Sequence, residues 1–171
     1  MLTLTLALLQ ASAQPAQPAP PPPCATEAHK AFDFWVGDWE VFPNKDGAKK
    51  VSESKIEKLY GGCAVRENWM PNRGGPGGSL TSIAGDGLWH QTWVGSGGET
   101  VYFVGGSPSA GKMVLTGYWK NGAGPDTNPL IRMTYTLRDD GSVRQHGEQS
   151  LDQGLTWGPS FDFIYRPKST Q

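Results

Sequence analysis

The sequence predicts an all-β protein, an antiparallel up-and-down β-barrel of about ten strands with a short helical plug at its N-terminal end, and three observations carry that prediction. The 171 residues include 23 Gly and 14 Pro, which suits one turn-rich domain better than a helical protein. After Ala31 the apolar residues recur with period two, in short runs broken by Gly, Asp, Asn and Pro. The breaks, such as Asp139-Asp140-Gly141 and Gly97-Gly98, are short enough to join antiparallel neighbours, and sequential hairpins favour closure because it removes both exposed edges. A two-sheet sandwich is the alternative.

Residues 1–13, MLTLTLALLQASA, place an apolar run from Leu2 to Leu9 before Ala11-Ser12-Ala13, a small-x-small pattern that reads as a signal peptide. Export to the periplasm or the medium is the expectation. The stretch before the run has no Lys or Arg, a departure that fits a start further upstream. The run is too short to span a bilayer, and no later stretch approaches the ~20 apolar residues required. Residues 14–23, QPAQPAPPPP, form neither helix nor ladder and read as a polyproline II spacer. The folded domain is then 24–171. Cys24 follows prolines rather than the small aliphatic residues that precede a lipid-modified cysteine, and the only other cysteine is Cys63. A Cys24–Cys63 disulfide in an oxidising compartment is expected; closing that loop would stabilise by roughly 3 to 4 kcal/mol on the chain-entropy account.

The domain opens on FDFWVGDWEV, residues 32–41, with four aromatic rings around one glycine. Phe32 to Val36 suits one helical turn, and Gly37-Asp38-Trp39 then starts the first strand with its indole inside. The predicted strands are 38–42, 50–60, 63–70, 79–83, 88–94, 100–104, 112–119, 130–137, 142–149 and 160–166. For the eighth and ninth, a three-residue loop with a glycine bulge sets Leu137 against Val143, Thr136 against Arg144 and Arg132 against Glu148. Ile131, Met133, Tyr135 and Leu137 share the other face. The Arg132–Glu148 pair faces solvent on one reading; on the other it turns inward as a clamp for an acidic ligand.

Alternation also marks a candidate interior. LWHQTWV carries Trp89, Gln91 and Trp93 on one face, and CAVRENW carries Val65, Glu67 and Trp69. Aromatic rings interrupted by single polar groups are what an enclosed small-molecule site requires, with Tyr135 a further candidate. The same residues could equally fill a solid core. Three functions stay open: a barrel that binds a small, partly apolar molecule, a structural or interaction module with a filled interior, and a barrel enzyme using Glu67 with Tyr135 or Tyr165.

Other chemistry finds less support. A formal net charge of -1 supplies no basic field for nucleic acid or an anionic membrane surface. Residues 106–113, GSPSAGKM, nearly spell a phosphate-binding loop, but Met113 replaces the hydroxyl residue and a strand pattern follows where a helix is needed, so a hairpin is expected. The histidines His29, His90 and His146 are isolated in sequence and neither cysteine has metal-ligand spacing, so no metal is expected. No cofactor is expected either; haem held by His90 or His146 is a minor alternative. Nothing in the sequence sets an oligomeric state.

Three resemblances add to this. Gly37-Asp38-Trp39 resembles the Gly-x-Trp opening of the lipocalin and calycin barrels, which implies that a basic residue of the last strand, here Arg166, covers Trp39 by a cation–π contact. The ordered segments FDFWVGDW, GCAVRENW, LWHQTWV, RMTYTL, DDGSVRQHGEQSLDQGLTW and FDFIYR resemble an uncharacterised family of small exported bacterial barrel proteins, which implies fold and export but no activity. SLDQGLTW, residues 150–157, resembles the Asp-box, which implies a tight turn held by Asp152 and Gly154 over Trp157. Sialidase propellers repeat that box once per blade, and one box in a chain of this length makes no propeller.

Overall fold

The structure, a computed structural model, describes residues 23–169, so the signal-like segment 1–13 and nearly all of the proline spacer lie outside the described residues. Ten antiparallel strands close into a barrel: β1 (Gly37–Pro43), β2 (Ser52–Leu59), β3 (Ala64–Pro71), β4 (Gly77–Ile83), β5 (Trp89–Gly95), β6 (Thr100–Ser109), β7 (Lys112–Tyr118), β8 (Leu130–Leu137), β9 (Val143–Ser150) and β10 (Gly158–Pro167). Each strand pairs with its neighbours in sequence, and β1 pairs with β10 to close the ring, with Val41 opposite Tyr165. All ten expected strands are present. The largest difference is β6, which continues past Val104 to Ser109 through a shift of register between Gly106 and Ser109. Gly-Gly-Ser-Pro reads locally as a turn, whereas here it is an irregular strand end. The GSPSAGKM segment is the β6–β7 hairpin, Ser109 pairing with Lys112.

The inner wall follows the alternation. Ile131, Met133 and Tyr135 of β8 and Val143 and Gln145 of β9 are buried, while the residues between them are partly exposed; Leu137, expected on the same face, is 43% exposed where β8 ends. Register across this hairpin is the expected one, with Arg132 opposite Glu148.

One end of the barrel is closed by the segment before β1. Helix α1 (Glu27–Lys30) starts at the cap Thr26, and a 3-10 turn, Asp33–Trp35, follows it. Phe32 and Trp35 are fully buried and stack on each other with ring centres 4.8 Å apart. Phe32 meets Trp89 edge-on at 6.0 Å and Tyr135 at 5.0 Å, and Trp35 meets Tyr135 at 4.8 Å and Tyr165 at 6.0 Å. Three ties outside the core hold the segment down. Cys24 is disulfide-bonded to Cys63 in the β2–β3 connection, Lys58 pairs with Asp33, and the Lys58 ammonium also donates to the His29 carbonyl at 3.1 Å.

Trp39 is buried as expected, but its cover is different. Its indole N–H donates to the Trp35 carbonyl at 2.9 Å, and Tyr165 packs edge-on at 6.3 Å. Arg166 stands opposite Glu40, on the outer face, and lies over the Phe42 ring at 4.6 Å. The expected Arg166–Trp39 contact is corrected on that ground: Trp39 points in, and side chains paired with its outward neighbour point out. The Asp-box turn forms as expected. The Asp152 carboxylate accepts from the Thr156 amide at 2.8 Å and from the Ser150 and Thr156 hydroxyls, the Gly154 amide donates to Ser150 Oγ at 2.7 Å, and the Trp157 indole donates to the Gly154 carbonyl at 3.0 Å. These bonds, Ser150 first, hold the Asp152 carboxyl down at about 2.

Candidate functional site

Antiparallel pairing brings six polar residues from β2, β3, β4, β5 and β9 onto the inner wall: Ser54, Glu67, Ser79, Thr81, Gln91 and Gln145, all buried. They bond mainly to one another and to the phenols of Tyr135 and Tyr165. Gln91 donates to Thr81 Oγ1 at 3.1 Å and to Ser79 Oγ at 3.3 Å. Tyr165 donates to Gln145 Oε1 at 2.8 Å, and Gln145 Nε2 donates to the Tyr135 oxygen at 2.9 Å. The two tyrosines join two regions, since their rings pack on Trp35 and their hydroxyls enter this polar layer.

Glu67 is the ionisable acid of the layer and is 4% exposed. Its carboxyl takes bonds from Ser54 Oγ at 3.0 Å and Ser79 Oγ at 3.5 Å and lies 3.3 Å from the Tyr165 oxygen. Burial pushes its pKa up to about 7, against the opposing pull of Ser54, Tyr165 and Ser79. Burial likewise raises both phenols, with the nearby Glu67 charge second. The phenol of Tyr165 has one proton and a shorter contact to Gln145, so a neutral Glu67 can donate across the 3.3 Å gap, whereas an ionised one accepts from Tyr165 only when that proton leaves Gln145.

Beyond this layer lies a cavity of about 300 Å³. Its outer walls are Trp69, Trp93, Trp119, Phe161 and Phe163; Phe103 and Met133 lie beside the polar groups of its floor. Trp69 meets Phe163 at 5.7 Å, Phe161 stacks on Phe163 at 5.8 Å, and Trp93 faces Trp119 at 6.5 Å. Two glycines make room for these rings. A Cβ on Gly77 would stand 2.5 Å from the Trp93 ring, and one on Gly147 would stand 2.5 Å from Phe161, the residue opposite it across β9 and β10. The Trp93 indole N–H is buried without an acceptor. A larger groove of about 700 Å³ runs along α1 and the β6–β7 turn, but its only ionisable residues, Glu27 and Lys30, pair with each other at 3.0 Å. The barrel cavity is therefore the chemically distinctive one.

Of the expected site residues, Glu67, Trp69, Gln91, Trp93 and Tyr135 come together here. Trp89 does not: it is buried under the plug against Phe32. Arg132 and Glu148 do not either. They pair at 2.9 Å on the outer wall, and Arg132 lies 4.0 Å over the Trp157 ring, so the inward clamp is corrected: the opposite face of β8 holds the buried residues. Gln145, Trp119, Phe161 and Phe163 were not anticipated. The hairpin register that pairs Arg132 with Glu148 also pairs Tyr135 with Gln145, so Gln145 was within reach of the same reasoning.

Neither candidate haem ligand lines the cavity. His90 bonds Asp86 at 2.9 Å outside, and His146 lies on the outer wall between Thr134 and Asp162. Among the described residues no group of three or more His, Cys, Asp or Glu is placed to hold a metal ion. No protein-family model matches the chain, and no curated protein matches it.

Proposed function

We propose that this is an exported, lipocalin-like barrel that binds one small, partly apolar molecule in the cavity between the polar layer and the barrel mouth. The observation that supports it is the pairing of aromatic walls with a buried polar floor around about 300 Å³, the composition by which small-molecule sites combine contact area with orientation. An interaction module with a filled interior has no use for that space. The disulfide fits an oxidising compartment, and no helix among the described residues is long and apolar enough to cross a membrane, a statement that does not bear on strands. An apolar fluorescent probe should bind one to one and quench tryptophan emission, and Trp93→Ala should weaken that binding more than it destabilises the fold. Native mass spectrometry of protein from its own host should retain a small molecule. If no probe binds and Trp93→Ala only lowers the melting temperature, the interior is a core and the binding reading is lost.

A second reading is acid–base catalysis at the same place, favoured by a carboxyl titrating near neutrality beside two phenols in a reachable cavity. The discriminating result is a host-derived molecule that the parent protein converts and Glu67→Gln leaves intact.

A further inference from the structure

Charge accounting inside the cavity narrows the class of ligand, on the premise that the cavity is a binding site. Among the described residues Glu67 is its one acidic lining residue, and no Lys, Arg or His lines it. The partners of Glu67 come from three strands, Ser54 of β2, Ser79 of β4 and Tyr165 of β10, and all are neutral hydroxyls. The titratable groups that bear on it are the phenols of Tyr165 on β10 and Tyr135 on β8, neither of which can carry positive charge. Several partly exposed carboxylates of the barrel meet cations, as Glu53 meets Lys50 and Lys168 and Glu148 meets Arg132, each at 2.9 Å. Glu67 is the buried carboxylate among the described residues, and hydroxyls alone meet it.

A buried carboxylate without a cation is unfavourable, so the neutral form of Glu67 is favoured up to the raised pKa, and a positive charge brought to it favours the ionised form. Eight of the twelve lining side chains are aromatic, and their faces attract a cation by the ring quadrupole. An anionic ligand meets the reverse situation. No guanidinium or ammonium is present to receive it, and an ionised Glu67 repels it. A purely apolar ligand would leave the carboxyl and its hydroxyl donors with no role in recognition. We propose that the cavity takes an organic cation: a protonated amine or quaternary ammonium on a small apolar body, with its charge against Glu67 and its body between Trp69, Trp93 and Phe163.

Below about pH 7 binding then drives Glu67 to its ionised form and releases a proton, since the free carboxyl titrates at about 7. For a permanently charged ligand, affinity rises about tenfold per pH unit below that value and levels off above it. The test uses one phenyl body with four heads: phenethyltrimethylammonium, phenethylamine, 2-phenylethanol and 3-phenylpropionate, titrated by calorimetry and tryptophan quenching. At pH 8 both cations should bind at least about tenfold more tightly than the alcohol, and the carboxylate should bind weakest. The quaternary ion should show the stated pH slope. Glu67→Gln, close in shape to the neutral acid, should lose both the preference for cations over the alcohol and the slope. The slope in the parent protein is a readout that does not depend on that variant folding. If the alcohol binds as tightly as the cations at pH 8, or the carboxylate binds best, the cation proposal fails and the binding reading stands. If none of the four binds, the cation proposal fails, and the binding reading is decided separately by the fluorescent probe and Trp93→Ala.

Discussion

On the plug side of Tyr135 and Tyr165 the barrel is solid, and on the mouth side it is open, although aromatic side chains line both. The difference comes from a segment outside the wall. Eight strands enclose a space that wall side chains just fill, and the interior widens as strands are added, so ten strands leave more room than their own side chains occupy. On one side Phe32 and Trp35, carried in by residues before β1, take up that room and stack against Tyr135. On the other side no segment among the described residues enters. The rings of Trp69, Trp93 and Phe163 stand around the space instead of across it, and the polar layer forms its floor. A plug and a cavity are two answers to the same excess width.

The contrast breaks most clearly at the plug. Trp35→Ala removes a fully buried indole from a packed cluster and should cost about 3 to 5 kcal/mol in denaturant-induced unfolding. A loss below about 1 kcal/mol would mean that the plug side is no more a core than the cavity side. Separating the plug from its tether should have a somewhat smaller effect: Cys24→Ser should cost roughly 3 to 4 kcal/mol, because the 39-residue separation between Cys24 and Cys63 is no longer closed in the unfolded chain. A melting temperature unchanged by the substitution would show that Phe32 and Trp35 stay docked without the bridge.

The polar layer sharpens the comparison through pH. Glu67 has its folded pKa raised from 4.5 to about 7, so its neutral form is the one that the fold favours. The associated stability is fully present below about 4.5, falls as pH rises toward about 7, and amounts to about 3 kcal/mol between those limits. Glu67→Gln should remove this slope and make the protein more stable than the parent at pH 8. Unfolding free energies measured from pH 4 to 8 check it, and a parent protein that gained stability over that range from this group would reverse the reading.

Much of this was legible in the sequence, and the parts that were not share a cause. Alternation reports which residues share a face, and for β8 and β9 the glycine turn supplied the register as well, so Arg132 was set against Glu148 correctly. Glu67, Gln91 and Trp93 came together because each lies on the same face of its strand as a buried neighbour. Alternation does not report depth along the barrel. Trp89 and Trp93 point the same way from β5, yet one lies under Phe32 and the other lines the cavity. Nor does it report what reaches in from another strand: Phe161 enters only because Gly147 opposite it has no side chain. Arg166 was misplaced for a different reason, a contact carried over by resemblance against the parity of its own strand, which sets it opposite Glu40.

The smallest effect is expected on the outer wall of the hairpin whose inner wall helps form the floor. Arg132 and Glu148 are paired at 2.9 Å but remain 35% and 25% exposed, and solvent screens the attraction. Arg132 holds the Glu148 carboxyl below its ordinary value, so this contribution is present above the ordinary carboxylate range and lost as pH falls through the lowered pKa, the opposite sense to Glu67. Glu148→Gln should therefore cost less than about 1 kcal/mol at pH 7, fade further in high salt, and leave probe affinity in the cavity unchanged. Tyr135→Phe, three register positions along the same hairpin and on the inner face opposite Gln145, should instead alter probe affinity, because it removes the acceptor of the Gln145 amide. If Glu148→Gln weakened probe binding as much as Tyr135→Phe, the two faces of this hairpin would not be functionally separate, and the boundary drawn between barrel wall and binding site would be in the wrong place.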